Sequence, residues 1–129
     1  WQFVLEPLKG YLVLAKKQYE NPNRYSSAWN FGNETKSVRT VKQIVSQVIK
    51  YWGSGKLKYY KNRSFFEQYD ILLDIRKAKK RLKWFPTYSI KESVKLTTEW
   101  YYKVLEEKKN PEQVTNLQIE NYMYENNWT

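Results

Sequence analysis

Val38, Val41, Ile44, Val45, Val48, Ile49 and Trp52 recur at helical spacing, and the pattern stops at Gly53. A stripe of this kind is one face of an amphipathic helix, so the chain must supply something for it to pack against. Ser37 or Thr35 is placed to cap its start, and Gly53 sits where a C-terminal cap glycine belongs. With 129 residues, 41% of them apolar, the chain is one domain's worth and is large enough to bury a core.

Other segments can be read around that helix. Trp1-Gln2-Phe3-Val4-Leu5 reads as a short strand or extended entry. Glu6-Pro7 opens a helix in which Leu8, Tyr11, Leu12, Ala15 and Tyr19 share one face, and Asn21-Pro22-Asn23 stops it. Ser27 to Phe31 reads as a strand running into the Gly32-Asn33 turn. Lys56 to Tyr60 alternates like a strand, and Tyr69 to Leu73 is another strand candidate. Asp74 is placed as an N-cap for a helix through Ala78 and Leu82. Ser89 with Glu92 forms a capping box for a helix through Leu105, and Thr115 with Gln118 forms a second box for a last helix. The expected fold is a mixed α/β (α+β) lobe of about five helices and three or four short strands, filling a single domain over 1–129. The strands are too few for an independent doubly wound sheet, which points to one lobe of something larger.

Composition excludes several chemistries. The chain has no Cys and no His. Disulfides and thiolate chemistry are therefore out, as are the commonest metal ligand and the commonest base near neutral pH. No apolar run is long enough to span a bilayer and no signal-peptide pattern opens the chain, so a cytoplasmic protein is expected. The net charge is +10. Residues 36–83 hold fourteen basic and three acidic side chains, against four and three before them and five and seven after. A cationic zone of this kind attracts phosphates, though it also serves as a solvated face.

No catalytic signature is present. The four glycines never approach G-x-G-x-x-G, and no Tyr has a Lys four positions later. Glu67, Asp70 and Asp74 are the nearest carboxylates in the basic zone, and capping and solvation account for them. Lys56 to Arg63 interleaves cations with aromatics. That suits either a phosphate chain with a stacked base or an edge strand protected by lysines. Read from residues alone, a basic, aromatic-rich module that binds nucleic acid stays open.

A series of landmarks resembles the CDP-glucose 4,6-dehydratases, a family of extended short-chain dehydrogenases/reductases. Trp1 to Leu12 is similar to their "RPWQHVLEPLSGYL", with Phe3 in place of the His. Ala28 to Gly32 resembles "AWNFGP", Leu73 to Ala78 "LDCSKAK", Leu82 to Pro86 "LGWQP", Thr97 to Tyr101 "KTVEWY", and Thr115 to Tyr122 "TLEQIEEY". They occur in the family's order along nearly the whole chain.

The resemblance implies the C-terminal, substrate-binding lobe of a nucleotide-sugar dehydratase, without the Rossmann domain that holds NAD and the catalytic residues. The implied reaction oxidises C4 of the hexose, eliminates water across C5 and C6, and returns the hydride to C6. It implies a CDP-hexose substrate from a surface-polysaccharide (O-antigen) route, a homo-oligomeric parent, and no nucleic-acid or membrane partner. This piece alone is expected to bind no NAD and to be inactive. Arg63 falls where the family contacts the diphosphate, a job that suits a guanidinium fork. Glu67 matches an acidic position, and Phe66 replaces a His. Trp1 and Gln2 lie in the stretch that meets the nucleotide, and Asn30 is a further substrate-binding candidate that otherwise shapes a strand end. A sugar-nucleotide epimerase is the near alternative, and Phe3 and Phe66 mark a diverged member.

Overall fold

Asn21, Thr40, Ser89 and Asn110 each turn a side-chain oxygen onto free N–H groups at the start of a helix. The computed structural model describes residues 1–34, 39–58 and 72–128. In them six helices follow one another: α1 (Leu5–Glu20), α2 (Pro22–Tyr25), α3 (Val41–Trp52), α4 (Arg76–Leu82), α5 (Ile90–Leu105) and α6 (Pro111–Glu125).

The expected strands are corrected by this architecture, because no strand occurs among the described residues. Each candidate has its own physical reason. Trp1 to Leu5 is the lead into α1: the Phe3 carbonyl already accepts from Glu6 N–H at 3.0 Å, and the helix begins at Leu5. Ser27 to Phe31 is held by side chains rather than by a ladder. Trp29 Nε1 donates to the Tyr25 carbonyl, and Lys77 of α4 donates to Ser27 Oγ and the Ala28 carbonyl. Lys56 to Lys58 follows Gly53 and Gly55, whose φ of 87° and 129° turn the chain away from an extended course. Tyr59, Tyr60 and residues 69–71 lie outside the described residues, and Leu72 and Leu73 are irregular. At Phe3 and Phe31 the aromatic signal marked burial, not strand pairing.

Several caps also settle differently from the expectation. Thr40 starts α3, in a capping box with Gln43; Thr35 and Ser37 lie outside the described residues. Gly53 is the left-handed C-cap as expected, its N–H reaching the Ile49 carbonyl. The Ser89–Glu92 box opens α5 as expected. The second box does not form, because α6 starts earlier. The Asn110 side chain accepts from the N–H groups of Glu112 and Gln113, and Pro111 fits the first turn, which leaves Thr115 inside the helix. Asp74 acts just ahead of α4: its carboxylate accepts from Arg76 N–H and grips the Arg76 guanidinium, which holds its pKa down to about 2.

Two apolar clusters form the core. One gathers Tyr25, Phe31, Ile75, Ala78, Leu82 and Trp84, with Val13 and Leu14 of α1 against it. The other packs Ile44 of α3 on Ile90 and Val94 of α5. The inner side of α1 is therefore the one carrying Glu6, Gly10, Val13 and Leu14. The face with Leu8, Tyr11, Leu12 and Tyr19 points outward.

Gly10 lets α1 approach the Phe31 ring, which packs edge-on against Trp84 at 5.0 Å. A Cβ at residue 10 would lie 2.6 Å from Phe31 Cε1 and 2.8 Å from Cγ. Gly10→Ala is therefore expected to destabilise the protein by about 1–3 kcal/mol, although alanine is the better helix former. A guanidinium titration checks this, and a midpoint at or above that of the parent sequence would contradict it.

Candidate functional site

Glu6 is completely buried, and its carboxylate is where three parts of the chain meet. Oε1 accepts from the backbone N–H groups of Thr87 and Tyr88, at 2.9 and 2.7 Å, just ahead of α5. Oε2 accepts from the Tyr122 hydroxyl of α6 at 2.9 Å. The Glu6 carbonyl accepts from Trp84 Nε1 at 3.2 Å. Three donors compensate the buried charge that would otherwise oppose folding. Lys9, one turn along α1, donates to the Asn126 side-chain carbonyl and to Thr87 Oγ1. Burial lowers the Lys9 pKa, and the Glu6 charge works against that shift.

Aromatic rings enclose this clamp. Phe3, Tyr88 and Tyr122 contact one another with ring centroids 5.5–6.4 Å apart. Phe3, which stands where the resembling stretch has His, is buried as packing. Burial, reinforced by the Glu6 charge, pushes the Tyr122 hydroxyl well above the usual tyrosine range. Tyr88 is raised likewise by burial and by its bond to Glu125. Both phenols therefore stay protonated and act as donors rather than as bases.

Beside the clamp lies a cavity of about 390 Å³. One wall is the entry segment Gln2 to Leu5. The others are Thr97, Trp100 and Tyr101 of α5 and Thr115, Gln118 and Ile119 of α6. Trp100 and Tyr101 meet edge-on, at 5.0 Å between centroids. Trp100 Nε1 donates to Thr115 Oγ1, and Gln118 Nε2 donates to the Leu96 carbonyl, so these polar groups are already engaged. Gln2 Nε2 is buried and has no hydrogen-bond partner. A second hollow of about 190 Å³ shares Gln2 and Thr97 and runs between α3 and α5. The cavity between α5 and α6 is lined by no Lys, Arg, Asp or Glu, so it suits an uncharged ring with hydrogen-bonding edges, not a diphosphate.

The site residues expected from sequence separate into three groups. Gln2 lines both hollows, and Trp1 borders the smaller one with its side chain largely exposed. Asn30 is exposed, donates to the Asp74 carbonyl at 3.4 Å and lines neither hollow. Arg63 and Glu67, like Phe66, lie outside the described residues. Residue reading overlooked Glu6 and the walls Trp100, Tyr101, Thr115 and Gln118. Glu6 did leave a signal, as a lone acid inside Val4-Leu5-Glu6-Pro7-Leu8. Among the described residues no group of three or more Asp, Glu, His or Cys is placed to hold a metal ion. No described helix is long and apolar enough to cross a membrane.

No protein-family profile matches the chain. It is 32% identical over 102 residues to the CDP-glucose 4,6-dehydratase of Salmonella typhimurium, covering 78% of this chain and 28% of that enzyme. The resemblance to that family read from the landmarks is thereby borne out. The chain spans a little over a quarter of the length of the relative it matches.

The clamp makes a measurable demand. Glu6→Ala leaves two N–H groups and a phenol without their acceptor and is expected to cost about 3–5 kcal/mol of stability. Glu6→Gln keeps one acceptor oxygen and should lose less than half of that. Equal losses in denaturant titrations would mean that the charge, not the hydrogen-bond geometry, matters.

Proposed function

We propose that this chain is the nucleotide-sugar-binding, C-terminal part of a sugar-nucleotide 4,6-dehydratase acting on a CDP-hexose, in a longer protein that binds NAD. The observation that carries the reading is the similarity to CDP-glucose 4,6-dehydratase along 78% of the chain. The cavity supports it, because the buried polar atom without a partner on its wall belongs to Gln2, in the Trp1 to Leu12 stretch that resembles that family.

In this reading the cavity takes the base. Trp100 and Tyr101 offer aromatic contact, and Gln2 Nε2 donates to a ring carbonyl. Arg63 holds the diphosphate and Glu67 a sugar hydroxyl, roles taken from the resemblance. Trp1 borders the smaller hollow that adjoins the cavity at Gln2. NAD supplies the hydride chemistry from the part of the protein that carries a dinucleotide fold, so this piece by itself turns nothing over. The parent works in the cytoplasm as a homo-oligomer, on a deoxysugar route to surface polysaccharide.

The full-length protein, supplied with NAD and CDP-glucose, is expected to form a 4-keto-6-deoxy sugar nucleotide that is detectable by mass spectrometry as loss of one water. Absence of that product from every nucleoside diphosphate hexose offered would overturn the reading. Gln2→Ala should raise the KM for CDP-glucose about tenfold, the cost of one lost hydrogen bond, and leave kcat nearly unchanged. Arg63→Ala should raise KM further, and an unchanged KM would remove it from the diphosphate site. Single-stranded DNA should bind weakly at low salt and not at physiological salt. Tight binding that persists there would favour the nucleic-acid reading instead.

A further inference from the structure

Val4, Leu8, Tyr11, Leu12 and Tyr19 stand at i, i+4, i+7, i+8 and i+15, positions that fall on one side of a helix, and so form one stripe along α1 and its lead-in. The stripe is open to solvent: Val4 is 61% exposed, Leu8 44%, Tyr11 56%, Leu12 60% and Tyr19 93%. The opposite side of α1 is already occupied by the core through Gly10, Val13 and Leu14. Beside Leu12 the stripe runs into a hollow that Lys16, Lys17 and Trp128 also line. A ridge of large apolar side chains next to a hollow is a surface built to be covered.

The extent of the relative points to what covers it. The relative carries nearly three quarters of its length beyond the span matched here. A tethered remainder of that size meets α1 at an effective concentration in the millimolar range, which no separate partner matches. A second copy has no such tether, and Lys16 beside the same hollow would be drawn toward the Lys16 of the other copy. We infer that the outward face of α1 is the seam against the remainder of the longer protein, an inference that rests on the dehydratase reading above. The seam places Gln2 to Leu5, the entry wall of the cavity, between that remainder and helices α5 and α6.

The absence of Cys from the chain allows a direct test. Leu12→Cys and, separately, Leu8→Cys are made in the full-length protein, with Lys80→Cys on the exposed side of α4 as reference. Maleimide labelling of each site is followed by mass spectrometry. Labelling at residues 8 and 12 is expected to be about 100-fold slower than at residue 80, at every protein concentration, because a covered thiol reacts only when the seam opens. Labelling as fast as at residue 80 would overturn the proposal. So would protection that disappears on dilution, since that is the mark of a second copy. Should one variant fail to fold, the other carries the test. The turnover assay with CDP-glucose is a separate readout, so loss of the dehydratase reading and loss of the seam are distinguishable.

Discussion

The fold turns on a single buried carboxylate. The six helices of the described residues, 4 to 16 residues long, are marginal by themselves and depend on packing. Their packing is divided: one apolar cluster joins α1 and α2 to α4, and another joins α3 to α5. Glu6 links the first group to the second. From the first turn of α1 it reaches the backbone ahead of α5 and the hydroxyl of α6, while its carbonyl holds the Trp84 indole. Buried and fully hydrogen-bonded, it fixes a unique arrangement where apolar contacts alone would allow the helices to slide.

The cavity follows from that arrangement. Glu6 sets the path of Gln2 to Leu5, and this segment is one wall of the space between α5 and α6. Trp100 and Tyr101 on α5 and Thr115 and Gln118 on α6 face it because the clamp holds α6 against the start of α5. The Tyr122 phenol is held protonated above the usual tyrosine range, so it goes on donating to Glu6 where an ordinary tyrosine would ionise.

What the sequence revealed depended on how local each signal was. The Ser89–Glu92 box and the Gly53 cap need only neighbouring residues, and both formed as read. The strands were misread because Trp29, Phe31 and Phe3 look alike to pattern reading whether they pack on a sheet or on helices. What decides is whether a partner backbone lies alongside, and Lys77 rather than a strand meets residues 27 and 28. The α1 face of Leu8, Tyr11 and Leu12 was legible as apolar, but its outward orientation was not, because periodicity marks a face without saying what lies opposite. Gln2 was found through its motif. Glu6 was not, since its three partners are 81 to 116 residues away.

The distribution of charge then separates two tasks. Most of the positive excess lies at 36–83, and the wall of the cavity between α5 and α6 has no charged side chain. Part of the α4 charge is structural: Arg76 grips Asp74, Lys79 pairs with Glu34, and Lys77 lies 4.3 Å from the Trp29 ring centre. Lys80, Arg81 and Lys83 remain on its exposed surface. Their field raises the local concentration of any phosphate-bearing ligand and falls off over about 8 Å at physiological salt, so it favours anions without choosing among them. In the proposed reading, choice comes from the neutral cavity, where a ring that satisfies the Gln2 amide gains a hydrogen bond and one that cannot leaves a buried donor unpaired. A mismatch of that kind costs about 1–3 kcal/mol, which is roughly fivefold to hundredfold discrimination between rings of equal charge.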